Sequence, residues 1–199
     1  MNKIIKNTLI LTVITLVAGL GLGFVYEITK EPIAQAQEAA KKEAWQAVFP
    51  EADLDEFEPV DVDQKAADKV IKDLGIKGSI DEVCTVGEDG YVITTTDSEG
   101  YGGDIKITVG ITADGTVNGV SILSISETAG LGMKAKDDPS WGKQFAGKKV
   151  ESFSVVKDGS GSGDDAKIDA ISGATITSKA VTGAMNSCLA YFQSLEGGN

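Results

Sequence analysis

The chain of 199 residues is long enough for one domain of ordinary size in addition to an N-terminal membrane anchor. It contains no histidine and only two cysteines, which argues against Ser-His and Cys-His nucleophilic pairs, histidine-ligated haem, catalytic zinc and iron–sulfur clusters. A formal net charge of −12 repels phosphate backbones, so we expect no nucleic-acid partner.

The first predicted element is an uncharged apolar run from Asn7 to Tyr26. At about 1.5 Å per residue, a helix of this length spans a hydrocarbon core of about 30 Å. A cleaved signal peptide is the alternative, although its apolar region is usually only about 7–15 residues long. The first cysteine is Cys84, which excludes lipid attachment at a cysteine just after the run. We therefore expect residues 1–30 to hold a cytoplasmic N terminus and a membrane anchor.

Charged residues on the two flanks of this run predict its orientation. Lys3 and Lys6 precede the run, and lysines close to a membrane span favour the cytoplasmic side. Three lysines on the other flank oppose this assignment: Lys30, Lys41 and Lys42. On balance, the sequence predicts a single-pass protein of the cell membrane with its domain outside the cytoplasm.

Residues 31–75 are predicted to form a helical and acidic connecting region. The pair Glu31-Pro32 is typical of a helix start, and apolar side chains follow at helical spacing. The acidic stretch from Glu51 to Asp63 is interpreted as a solvated linker, because it lacks the residue spacing of a calcium loop. A short helix is predicted at Gln64–Leu74, with Gly75 as its C-terminal cap.

From residue 76 to residue 199 the hydrophobic pattern changes to that of strands and predicts one folded domain. The predicted strands are Asp81–Val86, Tyr91–Thr96, Asp104–Ile111 and Val117–Ser126. Their short connections predict hairpins and therefore an antiparallel sheet. The remaining elements are a helical turn at Trp141–Phe145, a strand at Val150–Val156, a flexible loop at Asp158–Asp165 and a last helix from about Thr177. The predicted fold class is α+β: an N-terminal transmembrane helix, then one domain with an antiparallel sheet and packing helices.

The segment Asp-Ala-Ile-Ser-Gly-Ala-Thr, from Asp169 to Thr175, is the most informative motif. The residues just before Thr175 are all small: Ser172, Gly173 and Ala174. A helix that begins near Thr177 aims free N–H groups and its positive dipole end at Thr175, and such a place favours a phosphate. The alternative is an ordinary loop in which Thr177 or Ser178 caps the helix.

This motif resembles the flavinylation motif of membrane-anchored FMN-binding domains, in which the final threonine carries FMN as a phosphoester. The resemblance implies that Thr175 is the attachment residue and that Asp169 belongs to the sequence read by a flavin transferase. Two further blocks, Gly100–Gly103 and Trp141–Lys148, also fit the family and occur in the family order. By itself, the glycine-rich block Gly100–Gly103 is interpreted as a turn rather than a phosphate site.

A second segment, Glu127-Thr-Ala-Gly-Leu-Gly132, resembles the family's Glu-Thr-Pro-Gly-Leu-Gly segment, with Ala129 where the family favours proline. Without the resemblance, this segment is merely a turn after a strand. With it, the glycines bring bare backbone close to a planar ligand, while Thr128 offers a hydroxyl and Leu131 an apolar contact. The predicted FMN-binding residues are therefore Thr175, Ser172, Gly173, Ala174, Thr177, Glu127, Thr128, Gly130, Leu131 and Gly132.

Each cysteine and tryptophan is interpreted as a buried packing residue. Cys188 lies on the apolar stripe of the last helix, and a disulfide between Cys84 and Cys188 is the alternative. Trp45 and Trp141 are expected to pack in the protein rather than to stack on a flavin.

In length and layout the chain is most similar to the G subunit of the Rnf complex, and the C subunit of the sodium-pumping NADH:quinone reductase also resembles it. The resemblance implies an electron-relaying flavoprotein subunit, with covalent FMN, in an ion-translocating ferredoxin:NAD oxidoreductase. Its implied partners are the other subunits and a flavin transferase, whereas ferredoxin and NAD bind elsewhere in the complex. No catalytic residue is expected, since Thr175 only attaches the cofactor. No metal site is expected either. The alternatives are a free-standing flavinylated electron carrier and a non-redox anchored binding module.

Overall fold

The computed structural model describes residues 2–197. The chain divides into two compact units, of which the first ends at Lys41 and the second begins at Lys42. The first element, α1 (Lys3–Val48), is one helix of 46 residues, long and apolar enough in its N-terminal part to cross a membrane. The predicted helix start at Glu31-Pro32 is wrong, because both residues lie inside α1. Pro32 removes only one backbone hydrogen bond, and the helix continues without interruption on both sides of it.

The second unit is built on an antiparallel sheet whose strands follow the order of the chain. The strands are β1 (Phe57–Val60), β2 (Gly78–Val86), β3 (Gly90–Gly100), β4 (Gly103–Thr112) and β5 (Val117–Ser124). Together with the helices, this sheet confirms the α+β fold class. The acidic stretch was not expected to contain β1; Phe57 is buried opposite Val86, while the residues after it on this edge strand are exposed.

Helix α2 (Gln64–Leu74) has the predicted bounds because both of its ends carry strong local signals. The Asp63 side chain accepts hydrogen bonds from the N–H groups of Lys65 and Ala66, at 2.9 and 3.2 Å. Gly75 takes the left-handed conformation, with φ of 68°, and ends the helix as expected.

The two faces of the sheet are covered by different parts of the second unit. The last helix, α5 (Thr175–Glu196), packs on one face, and the end of α1 with the loop after it packs on the other. Trp45 stacks on Phe57 there, with ring centroids 5.3 Å apart, which confirms that Trp45 is a packing residue. Cys188 and Cys84 are buried in the separate clusters on the two faces. Their interpretation as buried small residues is therefore confirmed, and the disulfide between them is not.

The segment between β5 and α5 brings the remaining short elements together. They are α3 (Lys134–Asp137), α4 (Pro139–Gly142), β6 (Ser154–Val156) and β7 (Lys167–Asp169), and β6 pairs in parallel with β7. The strand predicted from Val150 is thus limited to its last three residues, and β7 was not predicted. The predicted flexible loop contains a 3-10 turn at Ser160–Gly163, because Gly161 N–H is bound by the Asp169 carboxylate.

Candidate functional site

Helix α5 begins at Thr175, two residues before its predicted start. Its first backbone hydrogen bond runs from Ser178 N–H to the Ala174 carbonyl at 3.0 Å, so the N–H groups of residues 175–177 have no acceptor within the helix. Gly173 precedes this end with φ of 79°, a conformation that suits glycine. Thr175 therefore lies at the positive end of the helix dipole, where an anion is favoured.

The alternative in which Thr177 or Ser178 caps the helix is wrong. The Ser178 hydroxyl accepts a hydrogen bond from Ile171 N–H at 2.9 Å and donates one to the Ala174 carbonyl at 3.0 Å. The hydroxyl thus holds the preceding loop against the first turn of the helix. Thr177 and Ser178 are 1% and 0% exposed, whereas Thr175 is half-buried. Among these three hydroxyl residues, Thr175 is the one that solvent reaches.

A cavity of about 570 Å³ lies beside Thr175. Its walls come from Gly173–Thr177, from the segment that follows β5 and from Tyr101 in the turn between β3 and β4. The predicted site residues that line it are Gly173, Ala174, Thr175, Thr177, Glu127, Thr128, Leu131 and Gly132. Ser172 and Gly130, which were also predicted, are exposed and do not line this cavity. The volume lies within the range of about 300–1,000 Å³ that small-molecule sites occupy.

The segment from Glu127 to Gly132 forms a tight turn. The Thr128 carbonyl accepts hydrogen bonds from Leu131 N–H at 3.1 Å and Met133 N–H at 3.2 Å. Gly130 has φ of 75°, which lets the chain reverse at this place. Ala129 in the position of the family's proline therefore leaves the turn closed by its own backbone hydrogen bonds.

Gly132 is the point at which the two sides of the cavity touch. A Cβ atom added there would lie 2.6 Å from Thr177 Oγ1 and 2.8 Å from both Cβ and Oε2 of Glu127. These distances are shorter than van der Waals contact, so only glycine lets the turn approach α5 this closely. The segment distant in sequence is thus packed directly against the first turn of the helix.

Glu127 carries an unusual polar atom at this contact. Its Oε1 is buried and, within residues 2–197, has no hydrogen-bond partner. A carboxylate oxygen accepts hydrogen bonds and is costly to bury without a donor. The site therefore combines an acceptor that needs a donor, a helix N terminus suited to an anion and an apolar contact at Leu131. FMN offers groups that match all three: N–H and hydroxyl donors, a phosphate and a flat ring system.

Asp169 lies outside the cavity and connects the motif to the block that begins at Trp141. Its carbonyl accepts a hydrogen bond from Trp141 Nε1, and its N–H donates one to Gln144 Oε1, both at 2.8 Å. Its carboxylate oxygen Oδ1 accepts from Gly161 N–H at 3.1 Å. Trp141 is buried in this arrangement, which confirms that it is a packing residue. That a transferase reads Asp169 stays a prediction.

Tyr101 and Ile176 are the two cavity residues that the sequence-based reasoning missed. The block Gly100–Gly103 is a turn between two strands, as predicted. The side chain of Tyr101 nevertheless lines the cavity. The sequence signal that could have indicated this role is a single aromatic residue among three glycines.

A buried carboxylate, Asp97, lies in β3 beneath α5. It is 1% exposed, its Oδ1 accepts a hydrogen bond from Glu99 N–H at 2.7 Å, and a Cβ at Gly183 would lie 2.8 Å from its Oδ2. Burial raises the pKa of Asp97 from its ordinary value of 3.8 to about 6, and the charge of Glu99 adds to this effect.

This shift predicts that Asp97 lowers stability at neutral pH. Between pH 4 and 6 the unfolded chain releases the Asp97 proton while the folded chain retains it, so the free energy of unfolding falls as pH rises. The full effect, above the folded pKa, is about 2–3 kcal/mol. We expect Asp97→Asn to be more stable than the unsubstituted chain at pH 7.5 by up to this amount, and the difference should disappear as the pH falls below 3.8. Thermal unfolding of the detergent-solubilised chain measures it. Asp104→Asn, at an exposed carboxylate, is the control, and equal stability of Asp97→Asn and this control at pH 7.5 would contradict the assignment.

Two family models match this chain. Residues 100–190 match the FMN-binding domain, which includes every residue that lines the cavity. Residues 1–48 match the RnfG N-terminal region, which has the same C-terminal limit as α1.

Similar proteins align along almost the whole chain. The G subunit of the Na(+)-translocating ferredoxin:NAD(+) oxidoreductase complex of Acetobacterium woodii is 35% identical over 96% of this chain and 93% of its own. The G subunit of the proton-translocating ferredoxin:NAD(+) oxidoreductase complex of Clostridium ljungdahlii is 35% identical over 99% and 96%. The G subunit of the ion-translocating oxidoreductase complex of Methanosarcina acetivorans is 33% identical over 98% of both chains. Among solved structures, NqrC of Shewanella oneidensis matches 60% of this chain and 62% of its own, with 26% identity and a TM-score of 0.47.

Proposed function

Because this chain belongs to the family of G subunits of Rnf-type ion-translocating oxidoreductase complexes, we propose that it carries FMN covalently on Thr175. It is a membrane-anchored electron-transfer subunit with an FMN-binding domain, and its partners are the other subunits of the complex. The proposed boundaries are residues 1–30 for the N terminus and anchor, 31–75 for the connecting region and 76–199 for the FMN-binding domain.

The observation that carries the attachment proposal is the position of Thr175. Thr175 is the first residue of α5, lines the cavity and is half-buried, while Thr177 lines the same cavity but is 1% exposed. A separate flavin transferase needs a hydroxyl that it can reach, and Thr175 meets this condition. A phosphoester on Thr175 also places the phosphate at the N terminus of α5, whose free N–H groups and dipole stabilise negative charge.

The residues of the cavity then have distinct roles toward the cofactor. The N–H groups of residues 175–177 would hold phosphate oxygens, and the Glu127 carboxylate would accept a hydrogen bond from a donor of the flavin. Leu131 covers apolar surface, and Gly132 lets the two walls approach each other. FMN supplies the electron-transfer chemistry when bound, while the protein fixes its position and surroundings.

Covalent attachment is tested by producing the full chain with and without a coexpressed flavin transferase. After denaturing electrophoresis, a flavin-fluorescent band is expected only with the transferase, and the intact mass should increase by one FMN less one water. A protein that binds FMN when folded but loses all flavin on denaturation would contradict covalent attachment and leave only non-covalent binding of FMN. A protein with no flavin under either condition would favour a non-redox anchored module.

The orientation proposal predicts which part of the chain a protease reaches. Lys3 and Lys6 favour a cytoplasmic N terminus, which places the FMN-binding domain outside the cytoplasm. Protease added to intact spheroplasts should remove the domain almost completely and leave an N-terminal tag intact. Protection of the domain until the membrane is opened would reverse the orientation. A mature N terminus after Gly23 would show that the apolar segment is a cleaved signal peptide.

A further inference from the structure

Three exposed apolar side chains of the second unit surround one cavity. Within residues 42–197, six large hydrophobic side chains are exposed, and three of them are Tyr101 at 72%, Leu131 at 42% and Ile176 at 52%. All three line the cavity beside Thr175. Single exposed apolar residues are common, whereas a group around one cavity indicates a surface that a ligand or partner covers.

Tyr101 is held over this cavity by the packing of its turn. A Cβ added at Gly102 would lie 1.9 Å from the Ser126 carbonyl oxygen, so the turn is packed directly against the chain that leads into Glu127. Gly103 has φ of 112°, which only glycine adopts easily. The position of the Tyr101 backbone is therefore fixed by the same segment that forms the opposite wall of the cavity.

Tyr101 is also the sole aromatic residue among those that line this cavity within residues 2–197. An exposed aromatic side chain beside an apolar rim is suited to contact a flat ring system, because aromatic rings attract each other in stacked and edge-on arrangements. The buried acceptor Glu127 Oε1 and the N terminus of α5 are suited to the polar parts of such a ligand.

We propose that Tyr101 packs its phenol ring against the isoalloxazine of the flavin bound at this site and lowers its midpoint potential. This inference rests on the proposed function. The phenol ring is electron-rich, so it stabilises the electron-poor oxidised isoalloxazine more than the reduced form. The same contact quenches flavin fluorescence, because an electron passes from the phenol to the excited isoalloxazine and returns without net reaction.

The test compares the full-length flavinylated chain with Tyr101→Leu, Tyr101→Phe and Leu74→Ala, the last at an exposed apolar residue of α2 away from this cavity. Flavin fluorescence is measured in the folded state and again after denaturation, and the ratio reports quenching. We expect Tyr101→Leu to raise the folded-state fluorescence severalfold and to raise the midpoint potential. Tyr101→Phe should lose most of the quenching and have a potential between those of Tyr101→Leu and the unsubstituted chain, because it keeps an aromatic ring but not the electron-donating hydroxyl. Leu74→Ala should change neither value.

The covalent flavin content of each variant, measured on a denaturing gel, separates this inference from the proposed function. Unchanged quenching and potential in Tyr101→Leu, with covalent flavin intact, would overturn the contact while leaving Thr175 as the attachment residue. Absence of flavin from every variant and from the unsubstituted chain would overturn both.

Discussion

Replacing Thr175 with valine is expected to reduce covalent flavin to the background of a culture without the transferase. Valine keeps the shape and branching of threonine but has no oxygen with which to form a phosphoester. Thr175 is half-buried and does not cap the helix, so the fold should be retained. Fluorescence on a denaturing gel and the intact mass of the protein both measure this loss.

Two further variants make this result specific. Thr175→Ser keeps the hydroxyl and should retain covalent flavin, although a transferase that requires threonine would lower the yield. Thr177→Val removes the hydroxyl of a residue that is 1% exposed and should leave the covalent bond in place. Covalent flavin on Thr175→Val at the unsubstituted level would contradict the assignment and move attachment to a neighbouring hydroxyl.

Gly132→Val is expected to separate attachment from correct binding of the flavin ring. Valine introduces a Cβ where 2.6 Å remains to Thr177 Oγ1 and 2.8 Å to Glu127, so the turn must move away from α5. Overpacking of this kind costs about 1–3 kcal/mol of stability. Thr175 stays at the surface of the domain, so covalent flavin should persist while its visible spectrum and midpoint potential change.

The matched control is Gly163→Val, because no heavy atom lies within 4 Å of a Cβ at this loop position. This variant should keep the spectrum, the potential and the melting temperature of the unsubstituted chain. If a folded Gly132→Val protein has the same spectrum and potential as Gly163→Val, the segment from Glu127 is a structural turn without a role at the flavin.

The elements that could be predicted from the sequence are those with strong local signals. Alternating apolar residues and short turns predicted the strands from β2 to β5, and Asp63 and Gly75 determined both ends of α2. Strand β1 was missed because carboxylates dominate its surroundings and only Phe57 is buried. Strand β7 is three residues long and depends on its pairing with β6, which local sequence does not indicate.

The start of α5 was predicted two residues too late for a related reason. Thr177 and Ser178 are residue types that favour helix caps, but here their side chains are buried inside the first turns. The helix begins instead after Ala174, which makes no capping hydrogen bond through its side chain. Tertiary contacts, such as that of the Ser178 hydroxyl with Ile171 N–H, decided the boundary.

Parts of the candidate site could be predicted because family resemblance grouped segments that are far apart in sequence. The structure places most of the residues predicted from Glu127–Gly132 and Ser172–Thr177 around one cavity, while their roles toward FMN stay predictions. Tyr101 was missed because the glycines around it are sufficient to predict a turn, so its aromatic side chain was not needed to interpret the block. Its relation to the cavity depends on the contact between Gly102 and the Ser126 carbonyl, which no local pattern indicates.

Tandem mass spectrometry of the tryptic peptide between Lys167 and Lys179 tests the central claim most directly. The peptide, prepared from the full chain coexpressed with a flavin transferase, contains every hydroxyl residue of the motif: Ser172, Thr175, Thr177 and Ser178. We predict a mass increase of one FMN less one water, and fragment ions that assign it to Thr175. An unmodified peptide, or an FMN group assigned to any other hydroxyl, would contradict the proposal that this residue carries the electron-relaying cofactor.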